Sequence, residues 1–148
     1  MLPNGSEVGS DKYAYKLNWL SKIREFIRDE LTRHPRLVVL GDMNIAPEDR
    51  DVYDPEAWCE LILCSTPERA AFRELQALGL TDAFRQFEQP EASFSWWDYR
   101  SGSFRRNMGL RIDHVLVSPM LLAQCKSCRI DKLPQKLERP SDHAPILV

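Results

Sequence analysis

A layered α/β fold, with helices packed on a sheet, is predicted for this chain by three observations. Residues 12–33 carry apolar side chains at helical spacing. Leu37-Val38-Val39-Leu40 is a continuous apolar run that stops at Gly41-Asp42. After residue 94, short β-rich runs alternate with turns. Helical and strand periodicities in one chain, separated by short polar connections, are the pattern of layered α/β domains.

Taken in order, residues 1–11 are polar and read as a loop. Leu17, Leu20, Ile23, Ile27 and Leu31 then share one face of a helix. Ser10 or Asp11 can cap it, and Pro35 follows its end. The run Leu37–Leu40 has the composition of a strand buried on both faces. Residues 46–66 are acidic and turn-rich, with a weak helical patch from Trp58 to Leu63. Ser65 and Glu68 fit a capping box with Pro67 in the first turn, opening a helix to Leu78 that Gly79 stops. Leu80–Phe84 reads as either a short helix or the lead-in to a strand. Strands are expected over 94–99, 110–117 and 124–130, with a last one beginning at Ala144. A basic Gly-containing loop covers 100–109, and a helical turn covers Pro119–Ala123.

The length of 148 residues suits one domain with a real core, and 28% charged residues is ordinary for a globular protein. No apolar run approaches the roughly 18–20 residues needed to span a bilayer, so no membrane partner is expected. The start lacks the basic and apolar regions of a signal peptide, and the cytoplasm is the expected compartment. Net charge is −2, but its distribution is uneven. Glu48–Glu60 holds six acids against Arg50, whereas Arg100–Arg111 holds four arginines and no acid. Such a basic stretch can follow a phosphate backbone. Cys125 and Cys128 have a metal-knuckle spacing that Cys59 and Cys64 could complete, but neither pair sits in a Gly-rich turn, and reduced thiols are expected.

Three separated segments carry the chemistry. Asp42 and Asn44 stand two apart just beyond a strand, where functional groups of open α/β sheets collect. The Asp can position or deprotonate a water, and the Asn amide can donate to a phosphate oxygen. Asp113 lies within a strand, where a carboxylate needs a partner. His143 is a candidate, with His114 an alternative that points to the opposite strand face. Asp142 precedes His143 at a strand entry and can hold a cation while His143 serves a phosphate. Carboxylate and amide oxygens suit Mg²⁺ or Mn²⁺ over Zn²⁺.

Gly41-Asp42-Met43-Asn44-Ile45-Ala46-Pro47, Phe94-Ser95-Trp96-Trp97-Asp98-Tyr99-Arg100, Asn107-Met108-Gly109-Leu110-Arg111-Ile112-Asp113 and Ser141-Asp142-His143-Ala144-Pro145 together resemble bacterial exonuclease III. That family comprises abasic-site endonucleases and 3′→5′ exonucleases of the endonuclease/exonuclease/phosphatase superfamily. The resemblance covers essentially the whole chain in the family's order. It implies the C-terminal half of a four-layered α/β sandwich, a mixed sheet packed with helices, with residues 1–148 forming one partial domain.

By the same resemblance, Asp42 would activate or align the attacking water, and Asn44 would bind the phosphate. Asp113 would hold His143 against the scissile phosphate. Asp142, with Asp42 and Asn44, would serve the Mg²⁺ or Mn²⁺ site. Trp96, Leu110 and Ile112 would line the pocket for a base-free deoxyribose, with Arg111 and Asn107 also on the substrate side. The implied partner is double-stranded DNA with an abasic site or a 3′ end.

Departures accompany the match. A metal-binding Glu and a phosphate-side Asn of the family's N-terminal half have no counterpart. Met1-Leu2-Pro3-Asn4-Gly5 occupies the family's Tyr-x-Pro-Asn/Gln-Gly motif, with Met1 at the Tyr position. The expectation is a chain of little activity alone, with core-facing surface left bare. A superfamily phosphatase acting on lipid, inositol phosphate or RNA, and a catalytically silent DNA-binding module, are the alternatives.

Overall fold

The computed structural model describes residues 3–148. Its first helix, α1 (Asp11–Arg33), begins where Ser10 stays extended and its hydroxyl accepts the Tyr13 N–H. Strand β1 (Val38–Asp42) follows. Helix α2 (Thr66–Gln76) opens on the capping box of Ser65 and Glu68, both fully buried. Strands β2 (Thr81–Asp82), β3 (Trp96–Trp97), β4 (Gly109–Leu110) and β5 (Asp113–Val117) come next. A short α3 (Pro119–Leu122), β6 (Arg129–Ile130) and β7 (Ile146–Leu147) complete the order.

The sheet order is β1-β5-β2, and two further strand pairs are β3-β4 and β6-β7. Every pairing among the described strands is antiparallel. Helices α1 and α2 cover one face of the sheet. Leu20 and Ile27 from α1, Phe72 and Leu75 from α2, and Leu116 from β5 form one core with Met43 and Ile45. A separate cluster of Ala46, Val52, Leu63, Leu110 and Ile112 sits below the loops at the strand ends.

Three expectations are corrected. Strand β1 is buried on one face, not two: Val39 packs on the helical core, whereas Val38 is 41% and Leu40 69% exposed. The helices supply one layer, and the opposite face of β1 has no cover among the described residues. The patch Trp58–Leu63 forms turns, in which Trp58, Ile62 and Leu63 dock into the second cluster while Leu61 stays exposed. The expected strand over 110–117 breaks at Arg111-Ile112. There the chain leaves β3 to join β1, and the Arg111 N–H donates to the Asp51 carbonyl at 2.9 Å.

The β3-β4 pair depends on Gly109. A Cβ there would lie 2.5 Å from the Trp97 indole nitrogen and 2.7 Å from the Trp96 carbonyl oxygen. Gly109→Ala is therefore expected to force the strands apart and cost about 1–3 kcal/mol. Thermal denaturation should show the loss as a melting point lowered by several degrees.

Candidate active site

Strand register creates the site. Asp42, the last residue of β1, lies directly opposite Asp113, the first of β5. Two carboxylates thus face each other where the strands end. Burial raises the Asp42 pKa above its ordinary 3.8, and the Asp113 charge adds to the rise. The Asn44 N–H, donating to Asp42 Oδ1 at 2.8 Å, moderates it.

That hydrogen bond closes a tight turn in which Asn44 adopts φ 50°, the left-handed region that Asn tolerates. A buried lysine holds the turn from behind. Lys16 Nζ donates to the Asn44 carbonyl at 2.6 Å and pairs with Glu68. Burial lowers the Lys16 pKa, while the Glu68 charge opposes the shift. Asn4 Nδ2 reaches the Asn44 side-chain oxygen at 3.4 Å.

An isolated bridge between Trp96 and His143 brings the C-terminal segment alongside β3. It is reinforced by the Trp97 N–H donating to the Asp142 carbonyl and the Ala144 N–H to the Ser95 carbonyl. His143 Nδ1 then lies 2.9 Å from Asp113 Oδ2, leaving Nε2 as its second donor. Ser95 Oγ donates to the same Asp113 oxygen at 2.7 Å and accepts from the Ile112 and Asp113 N–H groups. The hydrogen bond to Asp113 raises the His143 pKa against a smaller opposing effect of burial, and the Asp113, Asp42 and Asp142 charges raise it further. The Trp96 indole N–H donates to Asp142 Oδ2 at 3.0 Å.

Asp42, Asn44, Trp96, Ile112, Asp142 and His143 line one cavity of about 550 Å³, with Trp58, Ile62 and Leu63 on its apolar side. Asp113 stands behind His143. Leu110 is fully buried beneath Trp96 in β4 and does not reach this cavity. His114, the alternative partner for Asp113, turns to the helical face against Phe72.

A second substrate-side expectation is also corrected. Arg111 is 1% exposed and turned inward. Its Nε and Nη2 fork onto Asp51 at 2.6 and 3.3 Å, and Nη1 meets Asp82 at 2.8 Å. An arginine in an apolar strand segment is stable there only because those carboxylates neutralise it. Asn107 is half-buried and does not line the cavity that holds Asp42 and His143. Its amide donates to the Ala92 carbonyl and accepts the Trp97 indole N–H, away from the Asp–His pair. Met1, assigned to the Tyr position, lies outside the described residues.

The network around Arg111 escaped sequence reasoning. Burial would raise the Asp51 carboxyl, but Arg111 and Arg85 outweigh it and hold its pKa below the usual range. Arg111 Nη1 lies 3.1 Å from His114 Nδ1, so the imidazole proton sits on Nε2, which donates to the Ile45 carbonyl at 2.8 Å. Burial and the Arg111 charge push His114 down to about 4. This neutral histidine anchors the backbone one residue beyond Asn44. Arg111 flanked by Leu110 and Ile112 was the only sequence trace of the network.

Comparison with known proteins accords with this geometry. Residues 3–143 match the model of the Endonuclease/Exonuclease/phosphatase family. Exodeoxyribonuclease III of Haemophilus influenzae is 37% identical over 97% of this chain and 57% of its own length. A 3′ phosphatase, NExo, from Neisseria, solved bound to a product DNA hairpin, superposes with a TM-score of 0.95 at 52% identity, over 98% of this chain and 56% of that one. An AP endonuclease from Archaeoglobus fulgidus superposes with a TM-score of 0.92 at 33% identity, over 99% of this chain and 57% of that one. The chain thus spans little more than half the length of these relatives. With its motif order, its fold and a match to the family model over nearly its whole length in agreement, this chain belongs to the endonuclease/exonuclease/phosphatase family.

Proposed function

We propose that this chain supplies the Asp–His part of the active site of a DNA-repair phosphodiesterase acting at abasic sites and 3′ ends. One observation carries the reading: His143, held by Asp113, shares a cavity with Asp42 and Asn44. A water aligned by Asp42 attacks phosphorus and surrenders its proton toward that carboxylate. The raised Asp42 pKa makes it a better base near neutral pH. His143, cationic over a wider pH range than an ordinary imidazole, donates from Nε2 to the phosphate oxygen on which charge develops. The Asn44 amide donates to a second oxygen as the bond from phosphorus to the leaving strand breaks. Trp96 and Ile112 offer a base-free sugar an apolar wall that a polar base would desolvate against.

The donor chemistry fits a hard divalent cation. Asp42, Asp142 and Asn44 offer carboxylate and amide oxygens on one cavity. No group of three His, Cys, Asp or Glu is close enough among the described residues to enclose an ion. Mg²⁺ needs only one or two carboxylates, completing its shell with water and substrate phosphate. When bound, Mg²⁺ or Mn²⁺ neutralises phosphate charge and stabilises the leaving oxygen. The compartment proposed with this substrate is the cytoplasm.

We expect little cleavage of an abasic-site hairpin in Mg²⁺ by this chain alone. Cleavage should return when the segment of an exonuclease III-type relative that this chain does not span is added. Robust cleavage by the chain alone would overturn the half-site reading. DNA binding without cleavage in both settings would favour the silent binding module.

The Asp113–His143 pair has a separate signature in the metal-free chain. An NMR titration should place the His143 pKa above 6.5, and Asp113→Asn should lower it. Because the folded-state pKa is raised, the pair's stabilisation is complete below pH 6.5 and fades as pH climbs through the folded value. An unshifted titration in both proteins would refute the coupling.

A further inference from the structure

A second cavity, of about 290 Å³, adjoins the first across Trp58 and Trp96, which line both. Tyr53 stands on its side, Leu110 and Met108 line its apolar part, and Arg100 and Arg106 are exposed beside it. Asp98 is the only acid lining it, and its Oδ1 is engaged by the Arg100 N–H at 2.8 Å. The basic stretch 100–111 thus divides. Arg111 turns into the core, while Arg100 and Arg106 flank an aromatic slot next to the catalytic cavity.

We propose that this slot receives the base of a 3′-terminal nucleotide whose phosphate lies against His143. The inference rests on the DNA reading above and extends it to base-bearing ends. The first cavity is shared by the phosphate, its aligned water and the sugar, so the adjoining slot is left for an attached base within one nucleotide of the phosphate. Aromatic faces with arginines beside them bind bases of any sequence by stacking while holding the backbone by charge. Tyr53, Trp58 and Trp96 supply the faces, and the Asp142 carboxylate fixes the Trp96 ring by accepting its N–H. The cavity lies at the small end of ligand clefts, room for one base and too little for a base pair. The terminal nucleotide must therefore leave its partner, which is easiest when it is mismatched or frayed.

The test compares two DNA hairpins in EDTA, so that neither is cleaved. One ends in an unpaired 3′-terminal 2-aminopurine nucleotide, the other in a base-free 3′ deoxyribose. The chain should quench the 2-aminopurine fluorescence on binding. Tyr53→Ala and, separately, Arg106→Ala should weaken binding of the base-bearing hairpin about tenfold, with the base-free hairpin unaffected. Arg106 is exposed, so its substitution tests the slot even if Tyr53→Ala unfolds the protein. Equal effects on both hairpins, or on neither, would overturn the slot and leave the DNA reading standing. Failure of the unaltered chain to bind either hairpin would overturn both.

Discussion

Asp42→Asn and His143→Ala should each reduce cleavage of an abasic-site hairpin by about 10²–10⁴-fold once the chain is complemented. The asparagine keeps the size of Asp42 and its turn with the Asn44 N–H, so a fold change cannot account for the loss. It removes the carboxylate proposed to receive the water's proton. The alanine deletes the donor proposed to meet the developing negative charge and leaves the Asp113 carboxylate with Ser95 as its side-chain partner among the described residues. Single-turnover rates on purified complexes are the measurement. Retained cleavage in either variant would refute the role given to that residue.

The largest stability effect should come from Arg111→Met. Methionine fills much of the same space but removes the ion partner of Asp82 and leaves Arg85 as the remaining counter-charge of Asp51, two carboxylates that are 5% and 0% exposed. Breaking a buried ion network from one side costs about 3–5 kcal/mol. For a chain of this size that corresponds to a melting point lower by roughly 10 °C. Arg24→Met is the control, since the Arg24–Glu74 pair lies at the surface and should matter by no more than about 0.5 kcal/mol. Equal melting points for the two variants would show that the Asp51–Arg111–Asp82 cluster does not hold the loops together.

Helix α1 was legible because its apolar spacing and cap are local properties, and the same holds for the capping box of α2. Asp42, Asp142 and His143 were legible as candidates because three separated segments together placed carboxylates and an imidazole at strand ends, where each alone is most often a turn former. Whether they met depended on contacts far apart in sequence. The Asp42–Asp113 register and the Trp96–His143 bridge supply those contacts, and neither leaves a periodic trace. Arg111 misled for a related reason. In a basic run it resembles its exposed neighbours, and only Asp51, sixty positions away, reveals that it is neutralised. Lys16 was overlooked because a lysine on a helix is ordinarily solvated, yet here it is fully buried against Glu68. The misreading of β1 came from treating a continuous apolar run as proof of two covered faces.

The uncovered side of β1 sets how this chain behaves in solution. Among the described strands β1 pairs only with β5, so its other edge has no partner strand beside the exposed Val38 and Leu40. An open edge with apolar side chains is a template for intermolecular β-pairing. Purified at high concentration, the 148-residue chain should self-associate through β1 unless that strand is occupied, so solubility and assembly compete for one surface. Anything that seats on β1 should then shield the chain from self-association and lie next to its candidate active site.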